Sequence, residues 1–202
     1  MKKFELTGKF ITNIFGKKLF RIRALVAFGD VEAGELGGYV EKEENLSDDG
    51  DAWVSGNAQV SGNARVSGDA RVYGDAWVYG DAWVYGDARV YGDAQVYGDA
   101  WVYGNAQVSG NARVYGNAQV YGDAQVYGDA DILQITGLGT VHRTTTVFRT
   151  TDGILIVCGC FFGDLDAFRE QVKNTREGKV QREYLKFADL IEIYFGVEKE
   201  DE

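Results

Sequence analysis

The feature that most constrains this chain is a six-residue repeat that runs unbroken from Asp51 to Gly128. A typical stretch reads GDAWVYGDAWVYGDARVYG, and the hexads differ mainly in the residue between Ala and Val. Ala and Val stand two positions apart, so they face the same side of an extended chain. Gly followed by Asp or Asn marks a corner, because these residues tolerate positive φ and form local side-chain hydrogen bonds. Each hexad is therefore predicted to be a four-residue strand followed by a two-residue turn.

Two architectures fit this unit of strand and turn. Two-residue Gly-Asp turns suit a meander of hairpins, but a sheet of thirteen very short strands would leave its Ala/Val face uncovered. In a β-solenoid, three hexads close one triangular coil and the next coil stacks about 4.8 Å away. Every Ala and Val then lies inside, where a narrow interior holds only small side chains. The sequence favours the solenoid.

The repeat resembles the hexapeptide-repeat family of left-handed parallel β-helices. Residues 78–83, Val-Tyr-Gly-Asp-Ala-Trp, match that pattern at the aliphatic and small positions and depart from it at the Tyr that follows the aliphatic residue. This resemblance implies a left-handed coil, an exception to the usual right-handed crossover. The flanking stretches GGYVEKEENLS and DGILIVCGCFFGDLDAF are similar to uncharacterised GDAxVY-repeat proteins of bacteria and their phages, a likeness that implies no established activity.

The chain is predicted to be mainly β and to have three parts. Residues 1–50 form an N-terminal β cap with an irregular first coil, residues 51–131 form the solenoid, and residues 132–202 form a small α+β lobe. The flanks are expected to act as caps, because a solenoid needs its open ends protected.

Local sequence signals predict strands, a turn and helices in the two flanking parts. Leu19–Leu25 reads as a strand, and Thr151-Asp152-Gly153 is a hairpin signal between two apolar segments. Asp164 is predicted to cap a helix that has Leu165, Phe168 and Val172 on one face. Tyr184, Phe187, Ala188 and Ile191 indicate a second helix, although Ile191–Phe195 also fits an extended segment.

Charge and composition limit the partners that the chain can bind. Its formal net charge of −10 disfavours general binding to nucleic acid or to an anionic membrane. No apolar run reaches the length of a membrane span, and the lysines of the opening MKKFELTGKF precede no signal-like apolar segment. Two cysteines form no disulfide framework, so a reducing compartment is expected. We predict a cytoplasmic protein that binds neither membrane nor nucleic acid directly.

The residues that could carry chemistry are few. The hexapeptide-repeat resemblance implies an acyltransferase alternative, because those enzymes typically use a histidine base in a cleft between the subunits of a trimer. Here the single histidine, His142, lies beyond the array, and no loop interrupts the hexads. Cys158 and Cys160 follow an apolar run, which predicts buried strand thiols rather than a zinc site or a nucleophile. We expect no catalytic residue, no metal and no cofactor.

The outward positions give the stronger indication of function. Three hexads per coil place Tyr85, Tyr103 and Tyr121 in one ladder, with Trp83 and Trp101 stacked beside it. Such ladders stabilise parallel coils by themselves, by roughly 0.5–1 kcal/mol for each neighbouring pair of rings. The aromatics are nevertheless more numerous than a soluble monomer needs, and Tyr, Trp and Arg are enriched at interface hot spots. The expected contact residues are Trp83, Trp101, Tyr85, Tyr103, Tyr121 and Arg65.

These observations predict a non-enzymatic protein that binds or scaffolds other proteins. It is expected to self-associate as a homo-oligomer through the outer faces of the solenoid or through the lobe, and a host protein is a possible further partner. One alternative is an acyltransferase-like enzyme. The other is a phage-encoded inhibitor of a host protein that acts as an acidic mimic of nucleic acid, although the array carries far less charge than duplex DNA of the same length.

Overall fold

The computed structural model describes residues 1–197, so the end of the predicted lobe, residues 198–202, lies outside the described residues. The N-terminal elements are β1 (Phe4–Thr12), β2 (Lys18–Ala24), β3 (Leu36–Val40) and a 3-10 helix (Glu43–Asn45). The repeat forms thirteen short strands: β4 (Trp53–Val54), β5 (Gln59–Val60), β6 (Arg65–Val66), β7 (Arg71–Val72), β8 (Trp77–Gly80), β9 (Trp83–Val84), β10 (Arg89–Val90), β11 (Gln95–Gly98), β12 (Trp101–Val102), β13 (Gln107–Val108), β14 (Arg113–Val114), β15 (Gln119–Val120) and β16 (Gln125–Val126). The C-terminal elements are a 3-10 helix (Asp129–Asp131), β17 (Ile132–Leu138), β18 (Arg143–Thr150), β19 (Gly153–Cys158), β20 (Phe161–Gly163), α1 (Leu165–Thr175) and α2 (Gly178–Phe195).

The repeat folds into a parallel β-solenoid of about five turns. Each strand pairs with the third strand along the chain, so residues 18 apart are neighbours, as Val78 and Val96 are. Three faces result, and we name them by their strands. Face one contains β4, β7, β10, β13 and β16, face two contains β5, β8, β11 and β14, and face three contains β6, β9, β12 and β15. The parallel pairing excludes the meander of antiparallel hairpins.

The alanines and valines of the hexads fill the interior of the solenoid. Each of them, from Ala52 to Val126, is fully buried. Because the side chains are small and the coils are in register, interior residues of neighbouring coils lie side by side, as Val72 and Val90 do on face one and Val84 and Val102 do on face three. The interior predicted from the Ala-x-Val spacing is confirmed.

The strands are shorter than the four residues that the hexad predicted. Most consist of the variable residue and Val, while β8 and β11 extend over four residues. The corner accounts for the difference, because the amide of Ala58 donates a hydrogen bond of 3.2 Å to the carbonyl of Ser55. Ser55 to Ala58 therefore form a four-residue turn. Three such corners in each coil leave two extended residues on each side.

The N-terminal segment pairs with the first coil on each of its three sides. Strands β1, β2 and β3 are antiparallel, and β3 joins face two by parallel pairing with β5. The amides of Tyr39 and Glu41 donate to the carbonyls of Ala58 and Val60. On the second side, the Lys3 ammonium donates to the carbonyls of Gly50 (3.0 Å) and Ala52 (2.9 Å). On the third side, the side-chain amide of Asn45 donates to the carbonyls of Gly62 (3.1 Å) and Ala64 (2.8 Å). These six carbonyls, at the N-terminal end of the array, thus have donors from the N-terminal segment.

The C-terminal part is an antiparallel sheet with two helices on one side. The sheet order is β17-β18-β19-β20, and its face toward the solenoid adds Ile132, Phe148 and Val157 to the solenoid core. The other face packs against α1 and α2. Both predicted helices form: the Asp164 carboxylate accepts the Ala167 amide at 2.8 Å, and α2 stays helical through Phe195. Among residues 1–197, neither helix has the length and apolar character needed to cross a bilayer.

Candidate protein-interaction surface

The outward aromatic side chains form stacked ladders along the solenoid axis. Ring centroids are 4.8 Å apart for Tyr73 and Tyr91, 4.9 Å for Tyr79 and Tyr97, and 4.8 Å for Tyr85 and Tyr103. The rings in these pairs are nearly parallel, with interplanar angles of 1° to 2°. Because the spacing is that of neighbouring parallel strands, the backbone register itself sets the ladders.

Face three brings five of the six predicted contact residues into one surface. Trp83 and Trp101 stack with centroids 5.6 Å apart, and the Arg65 guanidinium lies 5.5 Å from the Trp83 ring. Tyr85 stands edge-on to Trp101 at 6.4 Å and stacks on Tyr103. Trp83 is 40% exposed and Trp101 is 39% exposed. We call this set, Arg65, Trp83, Tyr85, Trp101 and Tyr103, the tryptophan surface.

The sixth predicted residue, Tyr121, lies at the junction with the C-terminal sheet. It stacks on Tyr103 at 4.8 Å, but its ring also meets Phe148 at 6.3 Å and Phe162 at 5.1 Å. It therefore connects the ladder to the C-terminal sheet. Phe162 is 53% exposed and extends the aromatic row beyond the repeat. The sequence analysis did not include Phe162 among the contact residues. Because neighbouring residues of a strand face opposite sides, Phe161 points toward α1 and Phe162 points away from it, and this alternation could have identified Phe162.

The other tryptophans differ from Trp83 and Trp101 in exposure. Trp53 occupies the same variable position of its hexad as Trp83 and Trp101, but it is only 3% exposed. The Phe28 ring covers it at 5.4 Å, and a side chain on Gly37 would collide with it, so Gly37 is needed for this packing. Trp77 on face two is half-buried. Face three therefore carries the exposed tryptophan pair.

Stacking limits which groups of the aromatic side chains a partner can contact. Each ring within a ladder has its faces occupied by its neighbours, so the ring edges, the Tyr hydroxyls and the Trp N–H groups remain. Burial raises the pKa of the Tyr103 hydroxyl to about 12, and the neighbouring Tyr121 and Tyr85 add to the effect. The hydroxyl thus stays protonated and can both donate and accept hydrogen bonds at neutral pH.

Only one of the two cysteines is a buried strand thiol, whereas both were predicted to be. Cys158 ends β19 and is buried, whereas Cys160 lies in the β19–β20 turn and is exposed. Gly159, with φ of 62°, makes the turn that separates them. His142 is exposed, and its Nδ1 lies 3.3 Å from the Gly137 carbonyl. Within residues 1–197, no three His, Cys, Asp or Glu side chains are grouped as metal ligands.

Comparison with known proteins supports the repeat architecture. A family model described as the YdcK beta solenoid repeat matches residues 58–74, 64–80, 70–86, 94–107 and 106–122. These matches lie inside the array and cover less than half of the chain. A search among curated proteins gave no match. The parallel pairing and the family matches together identify the chain as a repeat β-solenoid protein, similar in its array to the YdcK beta solenoid repeat.

Proposed function

We propose that the protein is a non-enzymatic scaffold that associates with a second copy of itself through the tryptophan surface, with Tyr121 completing the contact at its C-terminal end. The observation that carries this proposal is the stacked pair of Trp83 and Trp101, each about two-fifths exposed beside an exposed arginine. Trp, Tyr and Arg clustered in this way are the residues that dominate interface energetics.

The repeat of the surface favours a second copy as its occupant. Ring edges and hydroxyls recur along face three at about the 4.8 Å spacing of the coils. A partner that meets several of them at once needs the same spacing, and another face three supplies it. Identical stacked side chains on two facing sheets also form dry, interdigitated contacts. Two copies related by a twofold axis give a closed dimer rather than an open fibre.

The test replaces both tryptophans by Gln, the residue that position 119 already uses in the same column. We expect wild-type protein to sediment as a dimer at micromolar concentration. The variant Trp83→Gln/Trp101→Gln should sediment as a monomer with an unchanged circular dichroism spectrum, because the interior and the corners are not altered.

Trp77→Gln on face two is the matched control and should remain dimeric. A double variant that keeps the wild-type mass, or a wild type that is monomeric at all concentrations, would refute the proposal. A pull-down from the native host, made with wild type and with the double variant, separates self-association from capture of a host protein by the same surface.

We also propose the finer features of the architecture that accompany this function. The coil is left-handed, which the hexapeptide-repeat resemblance supports, and the N-terminal segment is a cap, which the donors placed on the first-coil carbonyls support. The dimer acts in the cytoplasm. An experimental structure of the dimer would report the hand of the coil and the position of face three together.

A further inference from the structure

The turn of the β1–β2 hairpin presents two large apolar side chains to solvent. Asn13 begins the turn and Gly16 ends it, because the Gly16 amide donates to the Asn13 carbonyl at 3.0 Å and the Asn13 amide donates to the Lys17 carbonyl at 2.9 Å. The central positions are Ile14, which is 73% exposed, and Phe15, which is 53% exposed. Because Gly, Pro, Asn, Asp and Ser dominate turns, an apolar pair at this place is unusual.

The geometry of the turn does not explain these apolar residues. The Asn13 side-chain oxygen accepts the Phe15 amide at 3.0 Å, and Gly16 supplies the positive φ of 75° that the turn needs. Phe15 also packs on Tyr79 of face two, with ring centroids 5.2 Å apart, so the turn is held against the solenoid. This contact accounts for part of Phe15, but the exposed side chain of Ile14 is explained neither by the turn nor by packing.

A third exposed apolar side chain, Phe10, lies near the turn on β1. It is 52% exposed and pairs with Phe20 across the hairpin, with ring centroids 6.4 Å apart. The Lys18 ammonium lies 3.7 Å from the centroid of the Phe10 ring, so a cation and an aromatic ring share one surface. We call the exposed apolar and basic residues of this region the hairpin tip: Lys9, Phe10, Ile14, Phe15, Lys17 and Lys18.

The cations of the hairpin differ in whether a carboxylate neutralises them. Lys2 and Arg23, far from the turn, form ion pairs with glutamates. Lys17 at the tip also has a glutamate partner, at 2.9 Å. Lys9 and Lys18 form no ion pair with a carboxylate of residues 1–197. The hairpin tip therefore keeps positive charge beside its apolar side chains.

The charge of the chain is also unevenly distributed along the sequence. The first 23 residues include seven basic residues and one acidic residue, whereas the rest of the chain has 14 basic and 30 acidic residues. The prediction of no membrane contact used the net charge of −10. At physiological ionic strength the Debye length is about 8 Å, so charges farther than this from a surface contribute little. The charge of the contacting region, rather than the net charge, decides which surface the hairpin tip can approach.

We propose that the hairpin tip binds the surface of an anionic lipid bilayer. Ile14 and Phe15 enter the boundary between headgroups and acyl chains, while Lys9 and Lys18 contact the anionic headgroups. A protruding turn with an apolar apex suits a bilayer, because the lipid interface adapts to an inserted side chain, whereas an acidic protein would need a matching pocket for it. The hairpin tip lies outside the tryptophan surface, so membrane binding does not require the proposed dimer.

The test measures how much full-length protein sediments with vesicles of phosphatidylcholine alone and with vesicles of equal parts phosphatidylcholine and phosphatidylserine. We expect binding to the anionic vesicles, its loss at high salt, and no binding to phosphatidylcholine alone. Ile14→Asn should weaken binding on the order of 10-fold. Its melting temperature should not change, because the side chain is exposed. Ile193→Asn, at an exposed isoleucine of α2, is the matched control and should bind like wild type.

A matched pair of charge variants tests the lysines. Lys9→Gln/Lys18→Gln should weaken binding by about 10-fold or more, because both ammonium groups lie at the proposed contact. Lys179→Gln/Lys186→Gln removes the same charge from exposed positions of α2 and should leave binding unchanged. Equal losses in the two double variants would show that only the net charge matters and would refute the proposal.

Insertion of the apex is measured with the variant Ile14→Trp. Bromine on the acyl chains of the anionic vesicles should quench the added fluorescence, because quenching requires contact between the indole and the bromine. Wild type, whose four tryptophans lie in the array, supplies the background. An added tryptophan that is not quenched in the bound protein, or a wild type that does not bind anionic vesicles, would overturn the proposal. Binding to polyglutamate but not to vesicles would assign the hairpin tip to an acidic protein and would equally overturn it.

Discussion

At the scale of single residues, the hexad is explained by two separate steric limits. Interior positions accept Ala and Val because each coil packs directly on the next, and corner positions accept Gly because the chain turns there with positive φ. Gly98 illustrates the second limit, since its φ is 73° and a Cβ at this position would lie 2.9 Å from the amide nitrogen of Gly116 in the next coil. The glycine is therefore required both by conformation and by space.

A matched pair of substitutions separates these two requirements. Gly116 occupies the same corner row as Gly98 and has φ of 61°, but nothing lies within 4 Å of a Cβ built on it. Gly116→Ala should cost about 1–2 kcal/mol of unfolding free energy, the price of left-handed backbone in a residue with a Cβ. Gly98→Ala should cost clearly more, because the next coil must move. Equal losses in urea unfolding would show that conformation alone selects glycine.

At the scale of elements, the period of the sequence predicts whatever depends on the repeat alone. It predicts the 18-residue register, the three columns of variable residues and the buried Ala and Val, because each follows from stacking identical units. The period does not predict contacts between segments that are distant in sequence. Phe28 buries Trp53, and Phe148 and Phe162 pack against Tyr121, and each of these contacts joins the repeat to a residue outside it.

Local backbone geometry accounts for the other differences between sequence and structure. The strand lengths were overestimated because the amide of the alanine bonds back into the corner. Cys160 was predicted to be buried because an apolar run precedes it, but a glycine of positive φ ends the strand between the two thiols. Had the sequence analysis placed Gly159 in a two-residue turn, it would have predicted different environments for the two thiols.

Lys3 provides a test of how the N-terminal element supports the first coil. The residue is 3% exposed, its ammonium donates to the carbonyls of Gly50 and Ala52, and burial lowers its pKa. Lys3→Met keeps the apolar stem but leaves two carbonyls without a donor, which should cost roughly 1–3 kcal/mol. Lys9→Met, at an exposed position of β1, is the control and should be close to neutral in thermal unfolding. If Lys3→Met does not change the free energy of unfolding, water has replaced the ammonium as the donor to the two carbonyls.

At the scale of the whole molecule, one aromatic ladder joins the solenoid to the C-terminal sheet. It runs from Tyr85 through Tyr103 and Tyr121 to Phe162, so the two parts share a continuous stack of rings. Ionisation within this ladder should therefore affect the stability of both parts. Burial raises the pKa of Tyr103 to about 12, and it also raises the pKa values of Tyr85 and Tyr121.

The sign of the resulting pH dependence follows from linkage. Below a pH of about 10, where tyrosine in the unfolded chain is protonated, both states hold the phenol proton and stability is unaffected. Between about 10 and the folded pKa of about 12, the unfolded chain loses the proton while the folded protein keeps it, so stability falls as the pH rises. Tyr103→Phe keeps the ring and removes the proton, so its melting temperature should match wild type at neutral pH and fall less across this alkaline range. An alkaline decline as steep as that of wild type would show that Tyr103 does not contribute, because phenylalanine has no proton to lose.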